Sequence, residues 1–357
     1  MSRQRVVITG MGCVTGFGID WDATWDAMCA GRHCIREWRP QGLAPDEDFP
    51  VRYAAPVDPD ALPTEPNRAL PLEYRSRLGL LAARLAWEDS GLAPHARRGA
   101  AVFSASGAPH HRLSDMQLAL GDDGQGCWTR LWQARARAHP EGSLRQSNDR
   151  LAQLIAAEAG CAGPAANVSA ACAGAAQAVG NAFRMIRRGE RDCALAGGAD
   201  SGLNLETMSA LHVLGAPSTE TRFGHALCRP FDAARSGLVA GEGAGYLVLE
   251  SLPHARARGA RIIAELVGYG SSLDGYKLTA PDPQGRGAAA AMQAALADAR
   301  IAPGAIDLVN AHGTSTRLND VSETRAIRSV FADDGHAQRL SITANKSQFG
   351  HLIAAAA

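Results

Sequence analysis

The stretch NVSAACAGAAQAVGNAFRMIRRGERDCALAGGAD, residues 167–200, sets one cysteine, Cys172, where an extended apolar segment meets a run of small residues. After it, apolar residues recur at Ala173, Ala176, Val179, Phe183 and Ile186, the spacing of one helix face. Arg187 and Arg188 fall in the last turn and Gly189 follows, a C-terminal signature. Cys172 is therefore expected at or just before a helix N-terminus. Free N–H groups and the positive dipole end favour thiolate over thiol there. Ala170, Ala171, Ala173 and Gly174 leave space beside it for a substrate. The competing reading is an ordinary buried core cysteine.

The rest of the chain bounds the alternatives. Its 357 residues suit one large α/β unit or two fused halves, and 46% hydrophobic residues allow a sizeable core. Lys+Arg and Asp+Glu both count 36, so there is no basic excess of the kind a nucleic-acid binder carries. The eight cysteines (Cys13, Cys29, Cys34, Cys127, Cys161, Cys172, Cys193 and Cys228) form no CxxC pair and no zinc-like Cys/His spacing. The start MSRQRVVITGMG holds an apolar run too short for a signal core or a membrane span. Reduced thiols and a cytoplasmic location are the expectation.

RVVITG reads as a buried strand ended by glycine. In the following GMGCVTGFG, Thr15 stands where a dinucleotide fingerprint needs its third glycine. Crowding at a strand-to-helix turn is the expected reason for Gly10, Gly12, Gly16 and Gly18. WDATWDAMCAG and EYRSRLGLLAARLAWEDSGL read as helices, and residues 101–107 as a strand entering a turn. Residues 109–142 read as a partly helical excursion without clear pattern. Further on, NDRLAQLIAAEAGC and GRGAAAAMQAALADARI read as helices. DCALAGGAD, GYLVLE, RIIAELVGYG, IDLVNAHGTS and LSITANKS contain strands. Alternating βα units predict a layered α/β fold with helices covering sheets.

Strand ends are where such folds build sites. NAHGTSTRLND places His312 just past a strand, followed by Thr314 and Thr316. ANKSQFGH brings Lys346 and His351 together, and Glu323, between the two segments, could pair with Lys346. A lone histidine is more often structural. Two in glycine-bearing loops after strands are candidates for chemistry beside Cys172.

Across the chain, VVITGMGCVTGFG, VSAACAGAAQAVG, CRPFDAARSGLVAGEGAGYLVLE, TAPDPQGRGAAAAMQAALADA, NAHGTSTRLNDVSE and NKSQFGHLIAAA follow one another in order. In these the sequence resembles the elongating β-ketoacyl-acyl-carrier-protein synthases. The resemblance implies a thiolase-like layered fold of two similar βα halves, here 1–253 with the nucleophile and 254–357 with the histidines. It implies that Cys172 accepts the acyl group and that His312 and His351 are the catalytic histidines. Lys346 matches the active-site lysine, Glu323 its acidic partner, and Thr314 and Thr316 the threonines that touch the pantetheine arm. Phe231, Asp232, Gly241, Gly243 and Gly245 are read as structural. The implied reaction is decarboxylative condensation with malonyl-acyl-carrier protein, in fatty-acid or polyketide synthesis, with no metal or organic cofactor of the enzyme's own.

The implied partners are an acidic acyl carrier protein and a second subunit, as a homodimer or a heterodimer with another ketosynthase-like chain. The basic runs Arg184–Arg191 and His254–Arg261 are read first as solvated helix ends and second as docking surfaces. The family's closing strands and its glycine-rich loop, which carries an oxyanion donor, would lie beyond Ala357. The C-terminal half is thus expected to be truncated, with a two-turn helix from Gly350 and an open edge at residues 340–343. The competing readings are an inactive fragment, a chain-length-factor-like subunit and a thiolase. A chain-length factor would have lost Cys172, a thiolase has a different histidine motif, and an initiating synthase would carry Asn at 351.

Overall fold

The computed structural model describes residues 3–44, 46–63, 72–107, 120, 125–127, 129–130, 132–133, 147–277, 279–332 and 339–356. The excursion expected over 109–142 lies mostly outside the described residues. In chain order come β1 (Val6–Val14), α1 (Trp21–Cys29), β2 (Arg36–Glu37), β3 (Tyr53–Ala54), α2 (Tyr74–Asp89), β4 (Ala101–Ala105) and α3 (Arg150–Ala159). Then follow β5 (Ala165–Val168), α4 (Gly174–Arg187), β6 (Cys193–Ser201), α5 (Leu205–Val213), β7 (Glu242–Ser251), α6 (Leu252–Ala257) and β8 (Ala264–Leu266). The chain closes with α7 (Arg286–Ala299), β9 (Leu308–Asn310), α8 (Arg317–Phe331), β10 (Ser341–Thr343) and the single turn α9 (Lys346–Phe349).

Six strands form one mixed sheet in the order β5-β4-β6-β7-β1-β8. β4 is parallel to β5 and β6, whereas the β6–β7, β7–β1 and β1–β8 pairs are antiparallel. Alternate residues of each central strand supply opposite faces, as the period of two demands. Val102, Leu195, Ala199, Tyr246 and Val248 pack with α2 and α3 on one side. Ala101, Phe103, Ala194, Ala196 and Leu249 pack with Phe183 and Ile186 of α4 on the other. Cys172 thus enters the structure between the edge strand β5 and the helix that covers the sheet.

β1 does not stop at Gly10 as its sequence suggested. It runs to Val14, pairing Cys13 with Gly245 and Val14 with Ala244 of β7. The glycines are needed because α2 lies directly on this strand. A Cβ on Gly10 would run into the Ala86 carbonyl, and one on Gly12 into the Ala82 carbonyl. The crowding is of strand by helix rather than at a turn.

From 254 onward, β8 extends the large sheet, while β9 and β10 form a separate parallel pair with Leu308 opposite Ser341 and Asn310 opposite Thr343. Ala289 of α7 packs against Ala326, Ile327, Val330 and Phe331 of α8. Leu308 and Ile342 remain 56% and 50% exposed. The helix expected from Gly350 is instead one 3-10 turn, Ile353–Ala355. The His351 amide donates to Val239 O, that of Ile353 to the His351 ring and that of Ala354 to the Asp200 carboxylate. The Ala355 and Ala356 amides reach back three residues, to Leu352 O and Ile353 O, which is the 3-10 and not the α-helical pattern.

Replacing Gly12 by Ala should force α2 off β1 and destabilise the fold by about 1–3 kcal/mol, the usual cost of overpacking. Urea unfolding measures it, and an unchanged midpoint would refute the close-approach argument.

Candidate active site

Cys172 sits in a 3-10 turn, Ala171–Ala173, directly before α4. Ala171 has φ +44°, a left-handed backbone that costs an alanine about 1 kcal/mol, so the turn is held by its surroundings. The expected helix-start position is met, but the thiolate expectation is not. Burial pushes the Cys172 thiol up, Lys346 pulls it back and Asp200 adds to the rise. Burial is the leading influence, and the Lys346 charge and a backbone hydrogen bond do not offset it.

The two histidine loops converge on this thiol. Ala311, just past β9, donates its amide to Thr343 O of β10 at 2.8 Å, tying the start of one loop to the strand that leads to the other. The backbone amides of His312 and Gly313 donate to the two oxygens of Glu323 on α8, at 2.6 and 2.8 Å. Gly313 has φ +44°, which a glycine adopts without strain. His351 is placed by pairing with the segment just before β7: its amide donates to Val239 O at 2.7 Å and Gly241 donates to its carbonyl at 2.9 Å. The sulfur of Cys172 and a ring nitrogen of each histidine lie within 4.8 Å of one another. The two rings meet edge to face, with centroids 5.3 Å apart and planes at 84°.

Burial, followed by the nearby Lys346 charge, lowers His312 to about 3. His351 is held well below its ordinary value, mainly by burial and then by His312 and Lys346. Both imidazoles are therefore neutral near neutral pH. The Ile353 amide donates to His351 Nδ1 at 3.0 Å, so the one ring proton of His351 resides on Nε2. This matters for a metal reading. A Cys–His–His group has the right atom types for a divalent cation. His351, however, accepts a hydrogen bond at Nδ1 and offers N–H at Nε2, so it serves as a donor and the group lacks its third ligand.

Lys346 opens α9 and is 5% exposed. Burial lowers its pKa, and Glu323, Cys172 and Cys228 raise it again. Glu323 does not form the expected ion pair with Lys346; no contact within 4.0 Å joins them among the described residues. Its oxygens hold the His312 loop and accept from Asn319 Nδ2 at 3.2 Å, so it acts on Lys346 only through its field. Thr314 and Thr316 touch each other through their hydroxyls at 2.9 Å, and Thr316 caps α8 by accepting the Asn319 amide. Phe231 and Asp232 have structural partners: the Phe231 amide donates to Asp320, and Asp232 pairs with Arg229. Asp200, at the end of β6, is 1% exposed and escaped the sequence reading. An acid closing the apolar strand DCALAGGAD was its only signal.

Four arginines of the basic runs have acidic partners. Arg187 pairs with Asp298, Arg188 with Glu190, Arg258 with Glu250 and Arg261 with Asp89. The Arg188 and Arg261 pairs lie at the surface, whereas Arg187 and Arg258 are largely buried against their partners.

Removing the Lys346 cation should raise the Cys172 thiol further, since the cation favours the thiolate. In Lys346→Met the pH midpoint for iodoacetamide alkylation of Cys172 should move upward; a midpoint that stays or falls would show that Lys346 does not act on the sulfur.

Residues 3–255 match the family of beta-ketoacyl synthase N-terminal domains, and residues 263–357 that of the C-terminal domains. The chain is 32% identical over 358 residues to 3-oxoacyl-[acyl-carrier-protein] synthase 2 of Staphylococcus aureus (strain COL), covering 99% of this chain and 83% of the relative. It is 35% identical over 359 residues to nodulation protein E of Rhizobium sp. (strain N33), with the same coverage. Among solved structures, a beta-ketoacyl synthase from Burkholderia phymatum superposes with a TM-score of 0.83 at 34% identity, covering 99% of this chain and 83% of that one. A type II polyketide ketosynthase solved with its acyl-carrier protein (AntDE:AntF) gives 0.85 at 29%, covering 99% and 84%. The layered α/β fold is the thiolase-like one of these ketosynthases. Two domain families in the expected order, and likeness along nearly the whole chain, lead to one conclusion: this chain belongs to the beta-ketoacyl synthase family.

Proposed function

We propose that this protein is a 3-oxoacyl-acyl-carrier-protein synthase acting through Cys172, His312 and His351. The observation that carries this reading is the approach, within 4.8 Å, of one thiol sulfur and nitrogens of two imidazoles held neutral by burial. Cys172 attacks the thioester of an acyl group on a carrier protein and releases the carrier's thiol, leaving an acyl-cysteine. Lys346 and the α4 N-terminus favour the thiolate at the moment of attack and again when it departs. Malonyl-carrier protein then binds and loses carbon dioxide. The electron pair of the broken bond becomes an enolate, whose carbon attacks the acyl-cysteine carbonyl. The Cys172–acyl bond breaks, the sulfur takes up a proton, and the chain leaves on the carrier two carbons longer.

Neutral histidines suit the middle step. A protonated imidazole would form a tight pair with the malonyl carboxylate and hold back its loss. A neutral N–H aimed at the thioester oxygen stabilises the enolate as it forms, a term worth ~2.7–4 kcal/mol per donor. His351 Nε2–H is such a donor by its hydrogen bonding, and His312 is the second. Thr314, buried beside the His312 loop, serves the pantetheine arm, and Thr316 supports it through their shared hydroxyl contact. Glu323 positions His312. The phosphopantetheine arrives on the carrier protein, and the protein works beside a second subunit of its own kind or a related one.

His351→Ala should lower carbon dioxide release from malonyl-carrier protein by about 10²–10³, the cost of one lost oxyanion donor. Acylation of Cys172 from acyl-carrier protein should survive in part, whereas Cys172→Ala should abolish it. Unchanged release in both His312→Ala and His351→Ala, or acyl label found by peptide mass mapping on Cys161 or Cys193 in place of Cys172, would sink the assignment.

A further inference from the structure

Asp200 is as deeply buried as His351, both being 1% exposed. Its carboxylate binds two backbone donors on different oxygens: the Ser201 amide reaches Oδ1 at 2.9 Å and the Ala354 amide reaches Oδ2 at 3.1 Å. The amide one residue earlier, that of Ile353, donates to His351 Nδ1. Two successive N–H groups of one turn thus point to the two partners that matter, the imidazole and then the carboxylate.

That turn does not hold itself. Ile353 has φ +48°, an unfavourable conformation for a β-branched residue. Among the described residues, the Ala355 amide reaches Leu352 O and the Ala356 amide reaches Ile353 O. The turn packs against the nucleophile's own surroundings, where a Cβ on Gly198 would come within 2.8 Å of Ala354 O and one on Gly174 within 3.4 Å. The Asp200 carboxylate is also fenced in. A Cβ on Gly107 would lie 2.6 Å from Oδ2, so the side chain has little room to swing. A buried carboxylate is costly to desolvate unless its oxygens are satisfied, and here one of its partners belongs to the His351 turn.

We propose that Asp200 is a positioning residue for the condensation: it anchors the Ala354 amide so that the Ile353 amide keeps His351 in the form that carries its proton on Nε2. Without the anchor the strained Ile353 backbone relaxes, the Ile353 N–H leaves the ring, and His351 is free to carry its proton on Nδ1. In that form Nε2 is an acceptor and repels the enolate oxygen that it should stabilise. The catalytic consequence rests on the role given to His351 above; the effect on the ring proton does not.

The test uses Asp200→Asn and Asp200→Ala in the full chain. Both keep the site's cysteine and histidines, and Asn nearly matches Asp in size while presenting an NH₂ to one of the two amides. Histidine labelled with nitrogen-15, with the ring signals assigned through His351→Gln, reports which nitrogen is protonated. In both variants His351 should acquire a share of the Nδ1–H form. Carbon dioxide release from malonyl-carrier protein should fall about 100-fold, the effect expected of a small misplacement of a catalytic group. Alkylation of Cys172 by iodoacetamide should persist. Should the Ala variant fail to fold, the Asn variant decides. A folded Asn variant whose His351 nitrogen signals match the parent's overturns the proposal, whatever its activity. If the parent itself releases no carbon dioxide, the functional reading fails while the nitrogen signals still judge the anchor.

Discussion

The turn that follows His351 can reach the nucleophile only because no side chain stands in its way. Gly198 on β6 and Gly174 at the head of α4 both face the Ala354 carbonyl. A methyl group at Gly198 would overlap it. This shared close approach brings together the end of the chain, the central sheet and the helix that presents Cys172. Interiors are packed too densely to absorb such an overlap without moving a whole element. The distances within the candidate site therefore depend on missing side chains as much as on those present. The abundance of small residues in AACAGAA and ALAGGAD is a requirement of this packing.

The same burial that fixes the geometry sets the charge state. Lys346, His312, His351 and Cys172 are all largely removed from water, and desolvation is the leading influence on each. The result is a site with two neutral imidazoles, a protonated thiol and one cation. Such groups are costly to bury, and stability is surrendered for them. In the proposed condensation, a neutral donor array largely removed from water would meet developing negative charge with little reorganisation. Glu323 and Asp200 complete the arrangement from behind. Glu323 accepts the amides of His312 and Gly313, and Asp200 accepts one amide of the turn after His351, that of Ala354.

The cysteine and two histidines of the candidate site were legible in the sequence because each lies in a short local pattern. Cys172 precedes a helix whose apolar spacing and glycine end can be read directly. His312 and His351 follow strand-like segments in glycine-bearing loops. The strands and helices of the layered fold were legible for the same reason, since periods of two and 3.6 are properties of the chain itself. The extent of β1 was not, because its glycines answer to a helix more than sixty positions away. Nor was the partner of Glu323, since a carboxylate's choice between a lysine and two backbone amides depends on the approach of loops that the sequence separates.

By itself, then, the amino-acid order indicated most of the elements, the cysteine and two histidines that the structure brings together, and the family. Local periodicity and motif spacing carry that information. Tertiary structure alone decided the upward shift of the Cys172 thiol, the hydrogen bond at His351 Nδ1, the 3-10 turn at Ile353–Ala355 in place of the helix expected after Gly350, and the placement of the Asp200 carboxylate against that turn. Each depends on burial or on a hydrogen bond between residues far apart in the chain. The free energy of a charge or a ring proton is set by what surrounds it, and for these groups folding supplies the surroundings.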